Sequence, residues 1–317
     1  MKKNVKIFDE KLRGAKNIVI MAHKNPDGDA LCSVLAMARL IEKNYGKKCV
    51  CLYDGNVPDY LDNVPLRNRA LYWDKVKTSK SFDVAIVLDY GAEHQIGGPI
   101  DALKNAKFVV EIDHHKNDKP IADLCLNDAT ADAAAIVLYN IMRDAGWSAD
   151  VETLELLAIG ILTDTGNFKF AKKPETLSVM SDLVRGGVII RNLVEIMNNK
   201  SRKAILVEAR AAGNAEFFYR NKLAIATISR RDYRDMDGRG ETVLNILGQI
   251  KGVEYVVLLK EQKETQIGIS IRSRGAAIDK IAESFGGGGH AMAAGAVVRG
   301  DTLENVKAKI IEAFKGM

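Results

Sequence analysis

Residues 107–116 read KFVVEIDHHK, a short apolar run that ends on three polar side chains able to carry chemistry, Asp113, His114 and His115. The run Phe108–Ile112 reads as a strand with both faces buried, the signature of a parallel sheet covered on either side. The same arrangement recurs upstream. Ile18–Met21 reads as a strand that feeds directly into MAHKNPDGDA (21–30), and Val84–Leu88 as one that feeds into Asp89 of DVAIVLDYG (83–91). Cys49–Tyr53 reads as a further strand. Helical spacing lies between them: Asp29–Asn44 places Leu31, Val34, Leu35, Ala38 and Ile41 on one face, and similar patterns follow at 131–144, 151–162 and 175–185. Strands alternating with helices predict an α/β fold, a mainly parallel sheet flanked by helices.

Beyond Gly186-Gly187 the pattern changes. A short helical stretch at 190–197 and a break at Asn198–Ser201 precede helices predicted at 204–213, 242–250, 277–284 and 303–314 and strands predicted at 223–229, 254–259 and 266–272. This second region reads as a smaller α+β domain. The predicted division is 1–188 for the first domain, 189–202 for a linker and 203–317 for the second, consistent with 317 residues at roughly 150 per domain.

With 47% hydrophobic and 27% charged residues, the chain has apolar mass enough for two cores and is not of disordered composition. A net charge of +5 tolerates an anionic substrate, although a solvated surface explains the same excess. The four cysteines, at 32, 49, 51 and 125, form no C-x-x-C pair, which argues against a disulfide framework or thiolate zinc site and for a reducing, cytoplasmic location. The N-terminus is charged rather than apolar and no run of ~18 apolar residues occurs, so neither export nor a membrane span is expected.

In a parallel sheet, ligands bind just beyond the carboxyl ends of the strands. Three polar clusters occupy such ends: His23, Asp27 and Asp29; then Asp89; then Asp113, His114 and His115. A fourth, Thr163-Asp164-Thr165-Gly166, closes the helical stretch LELLAIGILTDTGNF (154–168). Taken singly each has a plainer explanation: Pro26-Asp27-Gly28-Asp29 as a turn and helix cap, Asp89 as a turn residue, Asp164 as a helix terminator. Taken together they hold three of the five histidines in the chain, and carboxylates gathered at one edge repel unless a cation lies among them. Oxygen and nitrogen donors without cysteine suit a divalent ion such as Mn²⁺, Mg²⁺, Fe²⁺, Co²⁺ or Zn²⁺ over softer-metal chemistry.

The segments HKNPDGDA, LDYG, DHH and TDTG resemble, in that order, the four motifs of the DHH phosphoesterase superfamily. SIRSRG (270–275) and GGGGHAMAAG (286–295) resemble its DHH-associated C-terminal domain, so the likeness spans nearly the whole chain. The two-domain plan is most similar to the bacterial nanoRNases that also act as phosphatases of 3′-phosphoadenosine 5′-phosphate. That resemblance implies a ligand set: His23, Asp27 and Asp89 for one metal, and Asp29, His114 and Asp164 for the other, with Asp89 bridging. It implies a catalytic His115 facing the substrate phosphate, with Asp113 orienting an imidazole. His94 stands where relatives often have an arginine and reads by default as a surface histidine.

In the second domain, Gly287, Gly288 and Gly289 would let backbone N–H groups approach a phosphate, with His290, Arg272 and Arg274 as further substrate contacts. The expected activity is metal-dependent hydrolysis of phosphoester bonds in short oligoribonucleotides and 3′-phosphoadenosine 5′-phosphate. The sequence leaves open a cyclic-dinucleotide or pApA phosphodiesterase, an exopolyphosphatase, and a catalytically silent nucleotide-binding protein. Aromatic residues make up only 6%, which argues against a long base-stacking groove. A homodimer is allowed but not implied.

Overall fold

A computed structural model describes residues 2–76, 80–117, 120–236 and 240–317, the side chain of His290 excepted. The chain divides into two compact units, Met1–Asn199 and Lys200–Met317.

The first unit is built on six strands: β1 (Ile18–Met21), β2 (Cys49–Tyr53), β3 (Ala70–Tyr72), β4 (Val84–Leu88), β5 (Val109–Ile112) and β6 (Leu124–Cys125). Their order is β3-β2-β1-β4-β5-β6, and every neighbouring pair is parallel. The chain leaves β1 toward one edge and returns at β4 to build toward the other. The crevice between β1 and β4 is therefore the point where winding reverses, the place at which an open α/β sheet receives its ligand.

Side chains alternate between two cores, as strand geometry requires. Ile18, Ile20, Ile86 and Leu88 pack under the helices Gly28–Tyr45, Ala134–Ala145 and Val151–Asp164, while Val19, Met21, Ala85 and Val87 pack with Trp73, Tyr90, Ile96 and Leu103 on the opposite face. The helix Ala134–Ala145 begins three residues later than its apolar pattern predicts, because Ala133 is still extended (φ −163°). A helix over Lys2–Gly14 and the short edge strands β3 and β6 have no counterpart in the sequence reading. Strands of three and two residues are too short for a periodicity to register.

The second unit carries β7 (Glu216–Phe218), β8 (Leu223–Ile228), β9 (Tyr255–Lys263), β10 (Gln266–Ser273), β11 (Gly288–His290) and β12 (Ala293–Arg299), in the order β11-β12-β10-β9-β8-β7. All pairs are antiparallel except β8 with β9. Helices Asp279–Ser284 and Leu303–Ala313 cover one face, and Arg202–Gly213 and Glu241–Leu247 the other. No helix among the described residues is long and apolar enough to cross a membrane.

Candidate metal centre

The β1 end delivers His23, and the turn after it delivers Asp27 as the N-cap of helix Gly28–Tyr45, where its carboxylate accepts from the Ala30 N–H. The cap and the chemistry are thus not rivals, since one oxygen accepts the N–H and the carboxylate still faces His23. At the β4 end the backbone of Asp89 turns left-handed (φ +47°), a strained setting for a non-glycine residue that aims the carboxylate back across the strand ends. The β5 end supplies Asp113, His114 and His115, and the last residue of helix Val151–Asp164 supplies Asp164.

These side chains meet. His23 Nε2 lies 3.7 Å from Asp27 Oδ1 and 3.8 Å from Asp89 Oδ2. His114 Nε2 lies 3.4 Å from the other Asp89 oxygen, Oδ1, and 3.6 Å from Asp164 Oδ2. Donor atoms of His23, Asp27 and Asp89 all fall within 4.8 Å of one another, as do those of Asp29, His114 and Asp164 and those of Asp89, Asp113, His114 and His115. Asp89, only 3% exposed, faces one group with each oxygen. A carboxylate shared in this way suits a bridge between two cations.

Asp29 has a second duty that its sequence context conceals. The helix Ala134–Ala145 has an alanine at its N-cap and no capping side chain of its own. Asp29 takes that place from across the core, accepting the Ala134 N–H at 2.6 Å and the Ala135 N–H at 3.0 Å, while Ser33 donates to it at 3.2 Å. The helix N-terminus thereby offsets part of the charge on a carboxylate that is 1% exposed.

The electrostatics describe a centre short of positive charge. Burial, then the Asp89 charge, push the Asp29 carboxyl up to about 7, against the opposing pull of His114. Burial and then Asp29 push Asp164 up to about 8. Burial works to lower the histidines, but the Asp27 hydrogen bond and the Asp27 and Asp89 charges hold His23 up at about 9, and those of Asp89, Asp29 and Asp164 hold His114 up at about 10. Carboxylates that hold on to protons and imidazoles drawn toward the charged form are both relieved by a cation between them. The donors are hard oxygens and imidazoles, while the buried Cys32 thiol is pushed well up by burial and is no thiolate ligand. The residues fit divalent metals.

Asp113 is fully buried and works as a clasp. One oxygen accepts the Tyr90 and Gly91 N–H groups at 3.1 and 2.9 Å, and the other accepts the His114 and His115 N–H groups at 2.7 and 2.9 Å and His115 Nδ1 at 2.8 Å. Burial opposes ionisation, but the His115 hydrogen bond and charge hold its carboxyl down at about 2. Beneath it lies a network that the sequence reading passes over. Glu111, fully buried within β5, accepts from Tyr90 Oη and from Asn127, with Asn117 Nδ2 at 3.4 Å. A glutamate inside an otherwise apolar strand was the available signal.

Of the remaining expected contacts, His94 lies in the first unit and the others in the second, where Arg272 on β10 and His290 on β11 are both in register with Ala293 of β12. His94 is exposed on the short turn Glu93–Gln95, and it is Gln95 whose side chain approaches Gly91 and whose carbonyl accepts the Lys24 N–H at 2.5 Å. In the second unit, Arg272 pairs with Glu241 and with the Ile271 carbonyl at 2.9 Å, while Arg274 is exposed. Gly288 and Gly289 belong to β11, and the Gly287 and Gly289 positions have a packing reason to lack side chains. A Cβ at Gly287 would sit 2.1 Å from the Gly295 carbonyl, and one at Gly289 2.6 Å from that of Ala293. The substrate-contact expectation for His290 lies outside the described residues.

Residues 17–161 match the DHH family, N-terminal domain, and residues 220–316 match the DHHA1 domain. The bifunctional oligoribonuclease and PAP phosphatase NrnA of Thermus thermophilus is 29% identical over 303 residues, covering 94% of this chain and 89% of that protein. The protein of the same name from Bacillus subtilis is 23% identical over 289 residues, covering 89% of each. Among solved structures, an exopolyphosphatase-related protein from Bacteroides fragilis superposes with a TM-score of 0.91 at 23% identity, covering 99% of this chain and 96% of that one.

Proposed function

Because the chain belongs to the DHH family of phosphoesterases, we propose that it hydrolyses phosphoester bonds in short oligoribonucleotides and in 3′-phosphoadenosine 5′-phosphate, using two divalent cations. The observation that carries this reading is the Asp89 carboxylate, with Oδ2 toward His23 and Oδ1 toward His114. His23, Asp27 and Asp89 would hold one ion, and Asp29, His114, Asp164 and Asp89 the other. The ions, Mn²⁺ by preference, would neutralise phosphoryl charge and make water nucleophilic at neutral pH.

The protein's own groups then act on the substrate. Asp113 accepts from His115 Nδ1 at 2.8 Å, which fixes the ring and raises its basicity. His115 is held above its ordinary pKa, burial being outweighed by the Asp113 hydrogen bond and the Asp89 charge, so its charged form is available to stabilise a phosphoryl oxygen and to supply a proton. Replacing His115 by Ala should lower turnover by about 100-fold or more while leaving two equivalents of metal bound. Turnover surviving within a few-fold would remove that role. We place the protein in the cytoplasm and assign substrate recognition to 203–317, through Arg272, Arg274, Gly287, Gly288, Gly289 and His290.

The test is a substrate panel with Mn²⁺: RNAs of two to five nucleotides, 3′-phosphoadenosine 5′-phosphate, cyclic dinucleotides and polyphosphate. Preferential release of mononucleotides from the first and of phosphate from the second is expected. Turnover confined to cyclic dinucleotides or polyphosphate would replace the substrate assignment. Metal uptake without any turnover would point to a silent binding protein.

A further inference from the structure

The segment that leaves Asp164 reads Thr165-Gly166-Asn167-Phe168-Lys169-Phe170-Ala171-Lys172-Lys173. Against a chain poor in aromatics, it interleaves two phenylalanines with three lysines directly after a candidate ligand. We propose that Phe170 is a stacking platform for one nucleobase of the substrate, the base whose phosphate is engaged at the metal centre. This deepens the proposed function and rests on its nucleotide substrate.

Three observations carry it. The first is strain: Gly166, Asn167 and Phe168 follow one another in the left-handed region, at φ 56°, 57° and 68°. For Asn and especially Phe that conformation costs on the order of 1–2 kcal/mol each, and strain of this kind concentrates at functional sites.

The second is rigidity. The buried Thr165 accepts the Phe168 N–H on its hydroxyl at 3.0 Å and the Phe170 N–H on its carbonyl at 2.9 Å. Downstream, Asp132 accepts the Lys172 and Lys173 N–H groups at 2.9 and 3.2 Å and the Thr176 hydroxyl at 2.7 Å. Phe168 packs against the core, yet Phe170, fixed by the same bonds, is left 39% exposed. Apolar burial would place both rings inward; the fold holds one of them out.

The third is position. The Phe170 ring edge lies against Gly166, where even a Cβ would come within 2.9 Å of it. Since Gly166 is two residues beyond Asp164, the ring edge falls within about 12 Å of the Asp164 Cα, the reach of a single nucleotide. Lys169 holds its Nζ over the ring, 5.0 Å from the centroid, so a base stacks on the opposite face or displaces this flexible side chain toward its phosphate, and Lys172 and Lys173 are exposed nearby in sequence. An aromatic face set among cations is how proteins take up a base with its phosphate while remaining indifferent to which base it is.

The test uses the Mn²⁺-loaded full chain. Phe170→Ala should raise KM for diadenylate about 10-fold and leave kcat within a few-fold. It should leave hydrolysis of a base-free phosphate ester unchanged. Phe170→Trp should retain diadenylate KM, and its fluorescence, read against wild type, should respond to 5′-AMP but not to ribose 5-phosphate. An unchanged KM in Phe170→Ala, or a fluorescence response equal for the two ligands or absent for both, overturns the platform. The fluorescence arm needs no turnover, so loss of the oligoribonuclease reading in the wild type would be told apart from loss of the base site.

Discussion

Asp89 is the residue on which the chemistry converges, and its left-handed backbone is what lets one carboxylate face both ligand groups. Substitution should therefore separate shared from unshared ligands. Asp27→Asn and Asp164→Asn should each weaken one ion, leaving close to one equivalent bound, whereas Asp89→Asn should weaken both, with turnover falling at least about 100-fold in every case. Titration calorimetry with Mn²⁺ reads this directly, and an Asp89→Asn variant that still binds two ions tightly would break the bridging assignment. Beneath the centre, Tyr90→Phe removes a donor from the buried Glu111 and should cost about 1–3 kcal/mol of stability by thermal denaturation. His23, Asp89 and the Asp-His-His run were legible because each follows a strand that its short apolar run reveals. Glu111 and Asn127 were not, since their partnership joins β5 to a turn sixteen residues on, and no local pattern encodes it.

Among the elements, two helices bring the centre together by close approach. A Cβ at Gly28 would fall 2.4 Å from Thr163 Oγ1, and one at Gly160 would fall 2.7 Å from Asp29 Oδ1 and 2.8 Å from the Ala135 Cβ. Gly160→Ala should displace the Asp29 carboxylate and lower metal affinity about 10-fold, with about 1–3 kcal/mol of overpacking strain, and calorimetry with and without Mn²⁺ checks both. The helix carrying Asp164 begins at Asp150, which caps the Thr153 N–H at 3.1 Å and pairs with Arg39 at 2.8 Å. Burial opposes ionisation, but the Thr153 and Arg39 contacts hold the Asp150 carboxyl below its ordinary 3.8. A depressed carboxyl contributes stability above the unfolded value, and that contribution disappears as pH falls through the folded one. Asn caps a helix as well as Asp, so the difference lies in the Arg39 pair: wild type should exceed Asp150→Asn by about 0.2–1 kcal/mol at pH 7, and the gap in melting temperature should close below about pH 4. Helix positions were readable from apolar spacing; the start of Ala134–Ala145 was not, because its cap comes from a residue 105 positions away.

For the molecule as a whole, the carboxylates gathered as candidate ligands all sit in one unit, and that unit alone should feel the loss of metal. At metal concentrations ~100 times the dissociation constant, binding adds about 2.7 kcal/mol, worth roughly 5–10 °C for a unit of this size. Chelation should lower the calorimetric transition of Met1–Asn199 by that order; a thermogram unmoved by chelator would argue against resident ions. The division into an α/β and an α+β region could be read from the order of strand and helix patterns. The sheet order of the second unit could not, because β11 opens on two glycines that look like a loop, and only at Gly289 does a close-passing β12 carbonyl, that of Ala293, require one.

The doubled role of Asp29 bears on how this enzyme would be silenced on purpose. A dead variant made at Asp29 would lose the N-cap of Ala134–Ala145 along with its ion, so a negative result in cells would confuse missing activity with a damaged scaffold. Asp164, the final residue of its helix, carries no such cap, which makes Asp164→Asn the cleaner control for physiology.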